Sequence, residues 1–175
     1  MREVVITAVG TDRPGIVASI TEALLDLGGN LADCRAALLR GSFAIVVAAT
    51  LPVDVPEQDL RAALAGRTGD LGLDVWIGPA AAPAHHEPLE RCVISVYGAD
   101  HPGIVAAVSR ALADREVNIV DLSSRVVGDP AIYVLGLEVE LPRDLDPEGL
   151  RRYLEPVARA QGVELSVEAE AEDIL

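Results

Sequence analysis

The chain has 175 residues, half of them apolar and 3 % aromatic, enough to fill one large core or two small ones. Its formal net charge of -14 repels phosphate backbones and anionic lipid, so neither direct nucleic-acid binding nor membrane attachment is expected. No apolar run is long enough to span a bilayer, and Met1-Arg2-Glu3 leads straight into a strand rather than a signal peptide, so the expected compartment is the cytoplasm.

Val4 to Val9 is short, apolar and β-branched and reads as a strand that Gly10 ends. Asp12 then stands where a helix N-cap belongs, with Pro14 in the first turn. Ile16, Ile20, Ala23, Leu24 and Leu27 follow at helical spacing as one apolar stripe, and Gly28-Gly29 stops the helix. Leu31 to Leu39 reads as a second strand, Arg40-Gly41-Ser42 as a turn, and Phe43 to Leu51 as a third strand. Pro56-Glu57 opens a second helix carrying Leu60 and Leu64, and Leu71 to Ile77 closes the unit as a fourth strand.

The order then repeats. Val5-Ile6-Thr7-Ala8-Val9-Gly10-Thr11-Asp12-Arg13-Pro14-Gly15-Ile16-Val17-Ala18 returns, 88 residues on, as Val93-Ile94-Ser95-Val96-Tyr97-Gly98-Ala99-Asp100-His101-Pro102-Gly103-Ile104-Val105-Ala106. The same offset relates Asn30 to Asn118 and Asp33 to Asp121. A long repeat that occurs twice indicates duplication of a small domain. Strands are expected near Arg91–Tyr97, Val117–Val127, Ile132–Leu141 and Val163–Val167, and helices near Pro102–Arg115 and Pro147–Gln161, the last kinked or split at Pro156. The domains are therefore placed at 1–78 and 90–170, joined by an Ala- and Pro-rich linker at 79–89 and followed by an acidic tail at 171–175.

Strand–helix–strand–strand–helix–strand is the ferredoxin-like βαββαβ plan of the α+β class, in which helices cover one face of an antiparallel sheet. The first and third strands are apolar on both faces, so the second face is expected to be covered by the sister repeat or another protomer.

The loop Gly10-x-Asp12-x-Pro14-Gly15, repeated as Gly98-x-Asp100-x-Pro102-Gly103, carries the chemistry. A glycine after a strand permits a sharp turn or a close ligand. A helix beginning at Pro14 offers free amides and the positive end of its dipole to a carboxylate. Asp12 adds a group for an ammonium, and Asn30 both a donor and an acceptor. Such a set suits an α-amino acid better than a phosphate, which Asp12 would repel. The same residues also serve as plain structure, with Asp as an N-cap and Pro-Gly as a turn.

The pattern strand–Gly-x-Asp-x-Pro-Gly-Ile-Val–helix–Asn resembles the ACT domain, a small-molecule sensing module, over nearly the whole chain. Two ACT domains in tandem without a catalytic domain resemble the glycine cleavage system transcriptional repressor family. The loop also resembles that of the N-terminal ACT domain of formyltetrahydrofolate deformylases. The resemblance implies two domains paired into one continuous antiparallel sheet, a homo-oligomer, and amino-acid sites built from Gly10, Asp12, Arg13, Pro14, Gly15, Ile16 and Asn30 and from Gly98, Asp100, His101, Pro102, Gly103, Ile104 and Asn118. Amino-acid-binding ACT domains often carry Asn where this chain has Asp12 and Asp100. It further implies a non-catalytic sensor with an amino-acid effector and a protein partner, such as a transcription factor or metabolic enzyme.

No cofactor and no metal are expected. His85-His86 lack a third fixed ligand, and Cys34 and Cys92 occupy non-equivalent places and read as packed thiols. Asp100-His101 with Ser123 or Ser124 lacks the strained elbow of a hydrolase, and the first repeat has Arg13 in place of His101. Tyr97 is expected in the core. The alternatives to a sensor are a ligand-free interaction module and, less in keeping with these residues, a small hydrolase.

Overall fold

The computed structural model describes residues 1–80 and 89–170. The linker expected at 79–89 is covered only at its ends, and the acidic tail at 171–175 and the His85-His86 pair lie outside the described residues. The chain divides into two compact units, Met1–Ala84 and His85–Leu175.

The first unit runs β1 (Arg2–Thr11), α1 (Ile16–Asp26), β2 (Asn30–Leu39), β3 (Ser42–Leu51), α2 (Glu57–Thr68), a 3-10 turn at Gly69–Leu71 and β4 (Asp74–Pro79). The second runs β5 (Arg91–Gly98), α3 (Ile104–Ala113), β6 (Asn118–Val127), β7 (Ile132–Glu140), α4 (Pro147–Gln161) and β8 (Val163–Ala169). The ladders form two four-stranded antiparallel sheets, ordered β2-β3-β1-β4 and β6-β7-β5-β8. This is the ferredoxin-like βαββαβ plan twice over, in an α+β fold.

Period-two alternation puts Val4, Ile6 and Ala8 of β1 and Ile45, Val47, Ala49 and Leu51 of β3 on one face. Helical spacing puts Ile16, Ile20, Ala23 and Leu24 of α1 and Leu60 and Leu64 of α2 against them. The second unit uses Cys92, Ile94, Val96, Ile104, Val108, Leu112, Leu135, Leu137, Leu150 and Leu154 in the same way. Each of these large side chains contributes about 1.5–3 kcal/mol on leaving water.

Several expectations from sequence are corrected. Gly10 does not end β1, which continues to Thr11 in register with Ser42. Leu71 belongs to the 3-10 turn, and β4 starts only at Asp74, after Gly72 has reversed the chain at φ 65°. Pro156 does not split α4, which is continuous from Pro147 to Gln161. Pro156 is exposed, on the side away from buried Leu150, Leu154 and Ala158, where water can satisfy the carbonyl its missing amide leaves open. Cys34 is exposed, on the edge strand β2, where all residues but Leu31 are exposed, whereas Cys92 is buried. Tyr97 is 45 % exposed, since its position in β5 alternates onto the face away from the core. The two-sided apolar strands do expose their second face, with Val9 and Val46 on it.

Candidate functional site

The repeated loop joins β1 to α1 and β5 to α3. At its start Gly10 is pressed against the entry to β4, where a Cβ would meet Gly72 O at 2.8 Å and Leu73 Cδ2 at 2.7 Å. Gly98 meets Val163 Cγ1 at 2.7 Å in the same way. These glycines are required by the close approach of their own unit's chain. The Asp12 amide donates to Gly41 O at 3.0 Å, tying the loop to the β2–β3 turn.

The expected aspartate caps are replaced by glycine. Gly15 (φ 97°) and Gly103 (φ 108°) hold the N-cap positions in the left-handed region, with no side-chain cap, and the helices begin at Ile16 and Ile104 rather than in the Pro14 and Pro102 turns. The left-handed glycine turns the chain between Asp and helix, so the carboxylate does not fold back onto the first amides. The Ser19 amide bonds Gly15 O at 2.8 Å and the Ala107 amide bonds Gly103 O at 2.9 Å. The three amides before each of them have no acceptor within the helix. Asp12 and Asp100 are exposed, as are Pro14 and Pro102. Ile16 and Ile104 are each 2 % exposed, so only their backbone can serve a ligand.

Arg13 and His101 share one role. Arg13 Nη1 donates to Asp70 O at 3.5 Å, and His101 Nε2 lies 2.7 Å from Gln161 O, so each ties its loop to the end of the second helical segment of its unit. His101 Nδ1 also lies 3.1 Å from Pro102 O. Two carbonyl partners favour the doubly protonated ring, and the imidazole titrates above its ordinary range, through Gln161 O first, then Pro102 O, with Asp100 adding to it. Both nitrogens face backbone carbonyls, which argues against the hydrolytic pairing with Ser123 or Ser124. Sequence reasoning missed this tie because its acceptors are backbone carbonyls some sixty residues away, with no side-chain signature.

The asparagines stand elsewhere. Asn30 pairs with Thr50 and through it lies level with Glu3, whereas Gly10 pairs with Phe43. Seven residues of β1 separate the two levels, about 23 Å along the strand. Asn118 likewise lies level with Arg91, seven residues from Gly98, and its Nδ2 donates to Glu140 Oε2 at 3.4 Å. Within one unit, then, Gly, Asp, Arg or His, Pro, Gly and Ile converge on the loop, and Asn does not. A cavity of about 260 Å³ in the first unit, lined by Leu64, Thr68, Leu73 and Val75, shares Leu73 with the wall against Gly10. Among the described residues no group of three His, Cys, Asp or Glu is placed to hold a metal ion, and no helix is long and apolar enough to cross a membrane.

The family model described as ACT domain matches residues 2–77 and again 90–168. A UPF0237 protein of Pyrobaculum aerophilum is 42 % identical over 80 residues, which is 45 % of this chain and 87 % of that protein. The glycine cleavage system transcriptional repressor of Escherichia coli is 32 % identical over 122 residues, 61 % of this chain and 63 % of the repressor. The crystal structure of an unknown protein from Galdieria sulphuraria matches with a TM-score of 0.86 at 26 % identity, over 97 % of this chain and 99 % of that one. With the left-handed glycine, the exposed aspartate and the β2-β3-β1-β4 sheet order each formed twice inside the matched segments, the chain belongs to the ACT domain family as a tandem member, homologous to the glycine cleavage system transcriptional repressor and to UPF0237 proteins.

Proposed function

We propose that the chain is a non-catalytic regulatory sensor that binds a small amino acid at its Asp-x-Pro-Gly loops and passes the bound state to a partner protein. The observation that carries this reading is the pairing, in both units, of an exposed carboxylate with a glycine-capped helix start. Asp12 or Asp100 receives the ammonium, and the first amides of α1 or α3 receive the carboxylate. Arg13 and His101 hold the loops to the second helical segments, so a change at the loop is felt there. Asn30 or Asn118 reaches a loop only when a different copy of the fold presents its Asn-bearing end, as a continuous sheet of paired ACT units or a homo-oligomer would allow.

Effector binding that favours one arrangement over another supplies the signal, limited by its differential affinity for the two. The name of the Escherichia coli relative supports a role in transcription, in amino-acid or one-carbon metabolism. With a charge of -14 the chain acts in the cytoplasm through a protein, such as a transcription factor or metabolic enzyme, and not by touching DNA. A salt-sensitive complex of the pure chain with DNA contradicts that route.

The test is a thermal-shift panel of the twenty amino acids on the full chain and on its Asp12→Ala/Asp100→Ala variant. One or two amino acids should raise the Tm by several degrees, since ligand at about 100 times Kd adds about 2.7 kcal/mol, and the variant should lose the response. No response to any amino acid overturns the proposal.

A further inference from the structure

Leu64 and Thr68 of α2 face Leu73, Val75 and Ile77 along the β4 segment across a cavity of about 260 Å³. The sheet registers, with the buried rows Leu60, Leu64, Thr68 and Leu150, Leu154, Ala158, give the matching positions of the second unit. Val75, paired with Ala8, becomes Leu165, paired with Val96. Ala65 and Gly69, which also line the cavity, become Glu155 and Arg159. Each of these three changes adds bulk. The same fold therefore accepts fuller side chains at these places, and the space in the first unit is not a demand of folding.

The walls are mainly aliphatic. Thr68 is buried, and its hydroxyl already donates to Leu64 O at 2.8 Å. Walls that offer a water so few partners suit an apolar occupant. A cation stands beside them. Arg61, which also lines the cavity, donates through Nη2 to Glu57 Oε1 at 2.7 Å, and its other donors have no partner among the described residues. The matching Arg151 is held by two carboxylates, Glu148 at 2.6 Å and Glu155 at 2.6 Å. With Ala65 in place of that second glutamate, Arg61 keeps donors for a carboxylate from outside.

We propose that this cavity is a binding site for a small aromatic monocarboxylate, with the ring between α2 and β4 and the carboxylate on Arg61. Size sets the body of the ligand. A dry cavity of about 150 Å³ takes a benzene ring, so 260 Å³ takes about ten non-hydrogen atoms. A ring fills that volume with few rotors to freeze, whereas an alkyl chain of the same size loses more freedom. Charge sets the head, because the cation at the cavity is a guanidinium with donors to spare. The proposal is independent of the effector reading. The site lies between α2 and β4 and not on the Asp12 or Asp100 loop, and an acid without an ammonium has no use for either aspartate.

The test is titration calorimetry of the full chain with phenylpropanoate, and methyl NMR spectra of the same titration. The expected result is one site per chain, with shifts at the methyl groups of Leu64, Val75 and Ile77. Val75→Leu, which copies Leu165, should weaken binding at least about tenfold by filling the space. Arg61→Gln should weaken the acid about tenfold and leave the uncharged phenylpropanol as it was. Ala65→Glu, at an exposed position of α2, copies Glu155 and should act as Arg61→Gln does. If circular dichroism shows Val75→Leu unfolded, Ala65→Glu carries the test. No binding at millimolar concentration overturns the proposal, and so does binding that neither Val75→Leu nor Ala65→Glu weakens. Amide shifts at Gly15 and Ile16 with the cavity methyls unmoved would place the acid at the loop and overturn it as well.

Discussion

At the repeat's offset of 88 residues, Ile6 corresponds to Ile94, Ile20 to Val108 and Leu24 to Leu112, and each is buried in its own unit's core. Away from these cores they diverge. On the face away from the core, the first sheet keeps its charges, Asp33, Arg35 and Asp74, on the edge strands, whereas the second places Glu138 on the central strand β7. One loop is tied down by an arginine and the other by a histidine. One first helix ends on Gly28 and the other on Glu116 in the same left-handed region. The contrast separates what the fold requires from what a particular unit uses. The left-handed glycine ahead of each unit's first helix, the pressed glycine near the end of each unit's first strand and the inward rows are common to both. The outer face, the tether and the helix exit are free to differ.

The sharpest way to break this separation is to alter a position that both units hold in common. Gly10→Ala forces a Cβ to within 2.8 Å of the Gly72 carbonyl, which cannot swing aside, whereas Gly98→Ala meets the Val163 side chain first. Each should destabilise by roughly 1–3 kcal/mol, the first more than the second. Urea denaturation followed by Trp76 fluorescence for the first unit, and by amide exchange for the second, measures both. A smaller effect tests a position where the units differ. Glu116 has φ 55°, where a non-glycine residue is strained, and the Val117 amide still closes the turn on Leu112 O at 3.0 Å. Glu116→Gly should add about 0.5–1 kcal/mol to the second unit, and Gly28→Glu should cost the first a similar amount. Equal and opposite shifts in the midpoint would show that the helix exit is a matter of backbone alone.

The third difference is in pH response. His101 titrates above its ordinary value in the folded chain, so the stability it contributes is complete below about pH 6.5 and is lost as pH rises through the raised value. Arg13 holds the corresponding tie in the first unit, through its guanidinium to the Asp70 carbonyl. Between pH 6 and pH 8.5 amide protection, taken relative to the intrinsic exchange rate at each pH, should fall in the second unit's loop and not in the first. His101→Arg should abolish the difference, and a pH response that survives the substitution would assign it to other groups.

Much of this architecture is legible in the residues themselves. The β-branched run at Val4–Val9, the stripe from Ile16 to Leu24 and the bounds of α4 are carried by local pattern. Errors arose where tertiary context decides. Asp12 has the chemistry of a cap, but the left-handed turn at Gly15 takes that position from it. Gly10 reads as a strand end, yet its partner Phe43 and the nearness of Gly72 keep it inside the strand. Pro156 reads as a break, but faces water on a helix that buries the opposite side. The loop residues of the candidate site were visible because they are contiguous. Asn30 was grouped with them by sequence, although strand direction carries it to the far end of the same sheet. The carbonyl tethers of Arg13 and His101 leave no trace in a sequence at all.

The central claim is that the Asp-x-Pro-Gly loops bind an amino acid. Its most direct test is titration calorimetry of the full chain against each of the twenty amino acids, with Asp12→Ala and Asp100→Ala measured separately. The expected result is saturable binding of one or two amino acids by the wild-type chain, with the loss of sites following the aspartate that is removed. Binding that neither substitution changes, or no binding of any amino acid, would contradict it.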